Sequence, residues 1–365
     1  MVNKICIVGM GLIGGSIGLA VKHRGLARSV IGYDESPHAA RTAERLGAVD
    51  RYFEDIKEAV DGADLVLLCT PVDVFEALAV LMAPALRPGA IVSDVGSTKG
   101  EVARKMAGAL PEDVHYVGGH PMAGSEKGGI NAADVYLFEN AVYVITPLEK
   151  TDAAAVEKVS HLARGLGSRV ILLTPEEHDL VVAAVSHVPH IVASALVITL
   201  MDVAVSQPAA PSLASGGFRD TTRVAAGDPE LWRQICFSNR GQIKKVMAIL
   251  QRNIRRFQGY LESGSEESFR DSMDKAREMR LEIPSGLKGI LPGFYELVVT
   301  VPDKPGIIGM LGTILGDAGV NIMDIEILRV REGEGGTIRL GFIGNESREK
   351  AAAVLGKNNI PLRRL

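Results

Sequence analysis

Two short runs in the 365-residue chain gather the residue types that move protons and hold charge. One is Asp94-Val-Gly-Ser97-Thr-Lys99-Gly, the other Gly118-Gly-His120-Pro-Met-Ala-Gly124-Ser-Glu126-Lys. Gly118, Gly119 and Pro121 flank His120, so a rigid, closely approached backbone would position its ring. An imidazole, with an ordinary pKa of about 6.5, is suited to accepting a proton near neutrality. Further on, Ser186-His187-Val-Pro189-His190 sets two histidines three apart, on one face of a helix. A metal would need at least a third protein ligand, and neither loop offers a ligand spacing, so no metal is expected. Gly216-Gly217-Phe218-Arg219-Asp220-Thr-Thr-Arg223 concentrates glycine and arginine in an expected turn before a helix. Arginine's planar fork holds carboxylates bidentately, so this run reads as a carboxylate clamp.

The elements that must position these groups begin with a glycine motif. The first apolar run ends in Gly9-Met-Gly11-Leu-Ile-Gly14, and a helical pattern follows at once. Such spacing gives a tight turn, a backbone that a pyrophosphate can approach, and a helix close to its strand, with free N–H groups at the helix start. Twenty residues after Gly14, Asp34 closes Val-Ile-Gly-Tyr-Asp, where a carboxylate can bond ribose hydroxyls and repel a 2′-phosphate. NAD is therefore expected rather than NADP, although Arg41 and Arg45 lie nearby. Expected cofactor contacts are Gly9, Gly11, Leu12, Ile13, Gly14, Asp34 and Thr70.

Apolar runs at 5–8, 30–33, 65–68, 91–95, 116–117, 142–145 and 170–173 alternate with amphipathic stretches. That pattern predicts βαβ units and a doubly wound, mainly parallel α/β sheet over residues 1–173. Both catalytic runs then lie in loops beyond the carboxyl ends of strands, where ligands bind in open α/β sheets. Residues 174–283 read as long helices. The stretch 183–205 is apolar nearly all round, which calls for burial in a core or between subunits, and a homodimer through this segment is the expectation. A linker with Pro284 and Pro292 covers 284–293, and residues 294–365 follow in βαββαβ order.

Three cysteines, Cys6, Cys69 and Cys236, form no CxxC pair, and the net charge of −4 gives no attraction for nucleic acid or an anionic membrane. The apolar N-terminus is interrupted by glycines and lacks a cleavage site, and no run of about 20 uninterrupted apolar residues is evident elsewhere. A cytoplasmic protein with no membrane partner is expected.

Taken together, Gly-Leu-Ile-Gly-Gly-Ser at 11–16, Gly-Ser-Thr-Lys at 96–99, His-Pro-Met-Ala-Gly-Ser-Glu-Lys at 120–127, Ser-His-Val-Pro-His at 186–190 and Gly-Gly-Phe-Arg-Asp-Thr-Thr-Arg at 216–223 resemble the prephenate dehydrogenase family over about residues 1–280. Val-Pro302-Asp303-Lys-Pro305-Gly306 with Gly319-Val-Asn321-Ile322 resembles an ACT domain, an amino-acid-binding module. The first resemblance implies a Rossmann domain followed by an all-α dimerisation domain. It also implies oxidative decarboxylation of prephenate to 4-hydroxyphenylpyruvate with NAD as hydride acceptor.

By the same resemblance His120 bonds the ring hydroxyl and accepts its proton, and Ser97 bonds that hydroxyl and holds His120. Arg223 holds the ring carboxylate, while Ser186, His190, Gly216, Trp232 and Glu126 line or gate the pocket. The ACT resemblance implies tyrosine as effector, held by Asp303, Pro305, Gly306, Asn321 and Ile322. Two alternatives stay open: arogenate as substrate, and a non-catalytic sensor of NAD and an amino acid.

Overall fold

The computed structural model describes residues 2–124, 128–283, 294–328 and 336–364. It divides into two compact units, Met1–Lys288 and Gly289–Leu365. The first opens with β1 (Val2–Val8), α1 (Leu12–His23), β2 (Ala27–Tyr33), α2 (Pro37–Arg45), β3 (Arg51–Tyr52), α3 (Ile56–Val60), β4 (Leu65–Leu68) and α4 (Phe75–Met82). It continues with β5 (Ile91–Asp94), α5 (Gly100–Ala109), β6 (His115–Pro121), β7 (Val142–Thr146), α6 (Ala153–Gly165) and β8 (Arg169–Leu172). The strands form one sheet in the order β3-β2-β1-β4-β5-β6-β7-β8, parallel except where β7 runs against β6.

Alternation along the central strands shows why they read as unbroken apolar runs. Ile5 and Ile7 of β1 pack with Ile17 and Val21 of α1 and Leu162 of α6. Cys6 and Val8, one position over, pack on the opposite face with Phe75 and Met82 of α4 and Met106 of α5. Helices cover both faces, so residues of both parities in these strands are apolar. This is the doubly wound Rossmann-like sheet that the pattern predicts.

Two local details differ from the sequence reading. The two-residue β3 was not foreseen, because Arg51-Tyr52 carries no apolar period. His120 lies within β6, paired opposite Val144 of β7, rather than in a loop beyond the strand.

The helical segment comprises α7 (Pro175–Val182), a π-helical turn Ala183–His187, α8 (Val188–Ser206), α9 (Gly216–Thr222), α10 (Pro229–Ser238), α11 (Arg240–Ser263) and α12 (Glu266–Glu282). A capping box between Thr174 and Glu177 starts α7. Pro189 has no N–H to offer the carbonyl one turn back, and widening the preceding turn to π geometry accommodates that loss. The run from Gly216 is itself helix, α9, with Arg223 at its end, not the turn expected from its glycines.

This segment has a small core of its own, in which Ala183, Val188 and Ile243 are the buried members. Ile198, Met201 and Val205 of α8 are exposed by 56%, 64% and 87%. This apolar face is therefore left exposed among the described residues. By length and composition Pro175–Ser206 is apolar enough to cross a membrane, a property the sequence reading had not credited to it. Its first turns, however, carry His178, Asp179 and His187, all buried and hydrogen-bonded to other parts of the protein.

The second unit runs β9 (Phe294–Val301), α13 (Ile307–Asp317), β10 (Asp324–Leu328), β11 (Gly336–Ile343), α14 (Asn345–Lys357), β12 (Leu362–Arg364), the expected βαββαβ order. Its antiparallel sheet has the order β10-β11-β9-β12. Leu297, Val299, Ile338, Leu340 and Phe342 on one face pack against Leu311 and Leu315 of α13 and Leu355 of α14. Asp303, Pro305 and Gly306 are exposed between β9 and α13, with Gly306 at φ +87 before the helix. Asn321 and Ile322 precede β10, which starts at Asp324.

Candidate functional site

The glycine motif forms the turn that its spacing requires. Gly9 has φ +101, and a Cβ there would lie 2.7 Å from the Cys69 carbonyl carbon. A Cβ on Gly14 would collide with the Gly9 carbonyl oxygen at 1.9 Å, so any side chain would push α1 off β1. A Cβ on Gly11 would meet nothing within 4 Å among the described residues, which leaves open space at the N-terminus of α1. Leu12 and Ile13 form the first turn of that helix.

The Asp34 carboxylate accepts from Met10 N at 2.6 Å and from Ser36 N at 2.8 Å, tying the end of β2 to the glycine turn. Thr70 Oγ1 is buried beside the same turn and has no hydrogen-bond partner among the described residues. An open cradle, a helix start and an orphaned hydroxyl fit a dinucleotide phosphate group. Arg41 is engaged elsewhere, with Tyr52 and Glu54.

Along the same edge of the sheet, β5 and β6 build a buried polar layer. Asp94, fully buried, accepts from Gly96 N and Tyr116 Oη, each at 2.7 Å, and pairs with the fully buried Lys99. These contacts fix the 96–99 loop. Gly118 and Gly119 let the next strand approach it: a Cβ on Gly118 would come 2.3 Å from Thr146 Oγ1, and one on Gly119 would come 2.6 Å from the Asp94 carbonyl oxygen. The glycines before His120 thus serve close strand packing.

His120 is 9% exposed, and its partner is one that the sequence reading did not single out. Its Nδ1 lies 2.8 Å from His178 Nε2, and His178 Nδ1 lies 2.9 Å from Asp179 Oδ1. The Asp179 carboxylate also accepts from Lys99 N at 2.7 Å and Gly100 N at 2.8 Å. A carboxylate only accepts, so His178 donates from Nδ1 and presents a bare Nε2. His120 must then donate from Nδ1, which leaves its own Nε2 unprotonated and able to take a proton, the logic of an oriented base. The expectation that Ser97 holds His120 is not met: among the described residues that role falls to His178. Ser97 is half-buried in the 96–99 loop. The signal for His178 was the polar run Glu176-Glu-His-Asp179 opening an otherwise apolar helix.

Burial holds His120 well below its ordinary pKa of 6.5, with His178, Lys99 and His187 adding to the effect. Burial likewise lowers His187 to about 4. The sign follows from proton binding. The unfolded chain takes up protons below pH 6.5 that the folded chain refuses, so stability contributed by the neutral rings is present above 6.5 and is lost as pH falls toward 4. For turnover, the acidic limb of the kcat/KM profile is expected below pH 6.5, as His120 remains a base there. A limb centred above 6.5 would contradict this environment.

His190 and Trp232 form the second cluster. Their rings stack at 3.6 Å and 18°, and His187 meets Trp232 edge-on at 6.2 Å. His190 Nδ1 is buried without a partner among the described residues. Gly227, absent from the sequence reading, makes this stack possible, since a Cβ there would lie 2.8 Å from Trp232 Nε1 and 3.1 Å from His190 Cε1. Gly227→Ala should therefore displace the pair, raising KM by about tenfold in line with the cost of overpacking. Trp232 is the chain's single tryptophan, so its emission reports the displacement directly.

Ser186 is half-buried in the π turn, while Gly216 and Arg223 are exposed at the two ends of α9. Glu126 lies outside the described residues.

Comparisons with known proteins bear on this geometry. A family model described as the prephenate dehydrogenase nucleotide-binding domain matches residues 17–172, and one described as the prephenate dehydrogenase dimerization domain matches residues 174–275. The ACT domain model matches residues 295–353. The prephenate dehydrogenase of Bacillus subtilis (strain 168) is 38% identical over 352 residues, 96% of this chain and 95% of its own length. A crystal structure of prephenate dehydrogenase from A. aeolicus, in complex with hydroxyphenyl propionate and NAD+, superposes with a TM-score of 0.73 at 31% identity. It covers 78% of this chain and 99% of that one. The structure of Synechocystis arogenate dehydrogenase gives a TM-score of 0.70 at 31% identity, covering 77% of this chain and 100% of that one.

Proposed function

Because the chain belongs to the prephenate dehydrogenase family, we propose that it converts prephenate to 4-hydroxyphenylpyruvate and carbon dioxide with NAD as hydride acceptor. The observation that carries this reading is the oriented, neutral His120 on the same sheet edge as the glycine cradle. NAD, when bound, supplies the hydride acceptor; Gly9, Gly11, Gly14, Asp34 and Thr70 are the residues suited to hold it.

His120 Nε2 accepts the hydroxyl proton of prephenate as hydride departs from the carbon bearing that hydroxyl. The electron pair released with carbon dioxide then flows into the ring, and the resulting phenolate oxygen recovers the proton from His120. No proton is consumed overall, and aromatisation makes the reaction one-way. Ser97 bonds the same hydroxyl, Arg223 takes the ring carboxylate, and Ser186, His190, Gly216, Trp232 and Glu126 complete the pocket.

In this reading the C-terminal unit senses tyrosine through Asp303, Pro305, Gly306, Asn321 and Ile322, and a homodimer forms through the exposed apolar face of α8. Inhibition requires tyrosine to bind a less active state better than the active one. The ACT match and the likeness to a dimerization domain support these assignments. Three cysteines without a CxxC pair support a cytoplasmic enzyme, and the net charge of −4 supports one without nucleic-acid or membrane partners.

The test is NADH absorbance with purified protein, NAD and either prephenate or arogenate, with and without tyrosine. NADH formed from prephenate and suppressed by tyrosine is the expected result. Turnover with arogenate alone would move the substrate assignment, and binding of NAD without turnover on either would make the chain a sensor.

A further inference from the structure

His187 has been given no part in the chemistry above, yet it is 2% exposed and ends the π turn between α7 and α8. Its partner is Asn239, 3% exposed, at the junction of α10 and α11. Asn239 Nδ2 lies 2.7 Å from the backbone carbonyl oxygen of Asp179 and 3.2 Å from His187 Nδ1. A carbonyl oxygen can only accept, so the Asn239 atom facing it is the amide nitrogen, and both amide protons are committed. His187 Nδ1 must then accept, which puts the ring's single proton on Nε2.

Among the buried imidazoles of the site, His120 and His187 thus have opposite polarity. His120 shows a bare Nε2, fixed by His178 and the Asp179 side chain. His187 carries an Nε2–H, fixed by Asn239 and the Asp179 backbone. A single residue, Asp179, therefore anchors both orientations. The His187 ring stands at 81° to Trp232, on the side of the pocket where Trp232 stacks on His190. The anionic groups of a dicarboxylate substrate need donors there, and a neutral N–H meets that need without placing another buried cation beside His120.

We propose that Asn239 is a positioning residue that locks His187 as an Nε2–H donor, and that His187 donates to a carboxylate of the bound substrate on the Trp232 side of the pocket. The proposal rests on the reading that Trp232 and His190 line the substrate pocket.

The first test needs no substrate. In full-length protein labelled with 15N-histidine, the His187 resonances, identified by their loss in His187→Gln, should show an unprotonated Nδ1 and a protonated Nε2. Asn239→Asp should reverse them, because a carboxylate in that place can only accept, so the ring must donate from a protonated Nδ1. A wild-type ring protonated at Nδ1 would overturn the lock.

The second test uses turnover. His187→Leu should raise KM for prephenate by about tenfold or more, the loss of one hydrogen bond to a charged group, with a smaller effect on kcat. His187→Gln, whose amide N–H reaches near the place of Nε2, should recover most of that loss. A merely structural His187 would give no such difference between the two variants, and equal KM values for Leu and Gln would overturn the donor role. If the substrate were a different one, the tautomer measurement would stand while prephenate turnover failed, so the two readings fail separately. Should Asn239→Asp not fold, the Leu and Gln pair carries the decision.

Discussion

His120→Asn is expected to lower kcat by about 10²–10⁴-fold, the range of a positioned general base, with KM for prephenate changed only a few-fold. The size of the effect follows from how much of the surrounding structure is organised around one nitrogen. Three donors converge on Asp179: two backbone N–H groups at the start of α5 and the His178 ring. That carboxylate fixes His178, which in turn fixes His120 with Nε2 bare. An asparagine amide can satisfy His178 by donating to its Nε2, so the fold tolerates the change, yet it offers no group able to take and return a proton. The substrate's hydroxyl keeps a polar neighbour, which is why binding survives. Steady-state kinetics at pH 7 separates the two constants, and near-wild-type kcat would remove His120 from its role. Asp179→Asn should lower kcat as well while disturbing Lys99 N and Gly100 N, so a loss of thermal stability should accompany it. His120→Asn should lose activity alone.

How much of this could be read in advance differs between elements, for physical reasons. The Rossmann order was legible because a sheet covered on both faces favours apolar residues at both parities of its strands, and runs such as Leu65–Leu68 are buried throughout. The glycine turn was legible because Gly9 and Gly14 have steric tasks no other residue can perform. His120 was found, but its place within β6 was not: Gly118 and Gly119 look like a turn in sequence, and only the closeness of Thr146 and the Asp94 carbonyl shows them to be strand. His178, Asp179 and Asn239 escaped notice because their roles depend on contacts spanning 58, 80 and 52 positions in the chain. Gly227 escaped for the same reason, since its meaning lies in the ring pair stacked above it. The apolar run of α8 was read as needing cover in a core or between subunits; that Ile198, Met201 and Val205 stay exposed among the described residues required the structure.

Arg223→Ala is expected to raise KM for prephenate by about 10- to 150-fold, equivalent to about 1.5–3 kcal/mol for hydrogen bonds to a charged group, while kcat stays within about threefold of wild type. The split between the two constants comes from the chemistry of the group that the arginine holds. A carboxylate that leaves as carbon dioxide loses negative charge as the reaction proceeds, so a guanidinium beside it binds the ground state at least as well as the transition state. Removing such a contact weakens binding without raising the barrier from the bound complex. Arg223 is exposed at the end of α9, so part of its attraction is screened by salt, and the KM difference between wild type and variant should shrink as ionic strength rises. Arg223→Lys should fall between the two, keeping the charge but losing the planar fork. If Arg223→Ala instead lowered kcat by orders of magnitude at unchanged KM, the guanidinium would be stabilising charge that develops during the reaction. The departing carboxylate could not then be its partner.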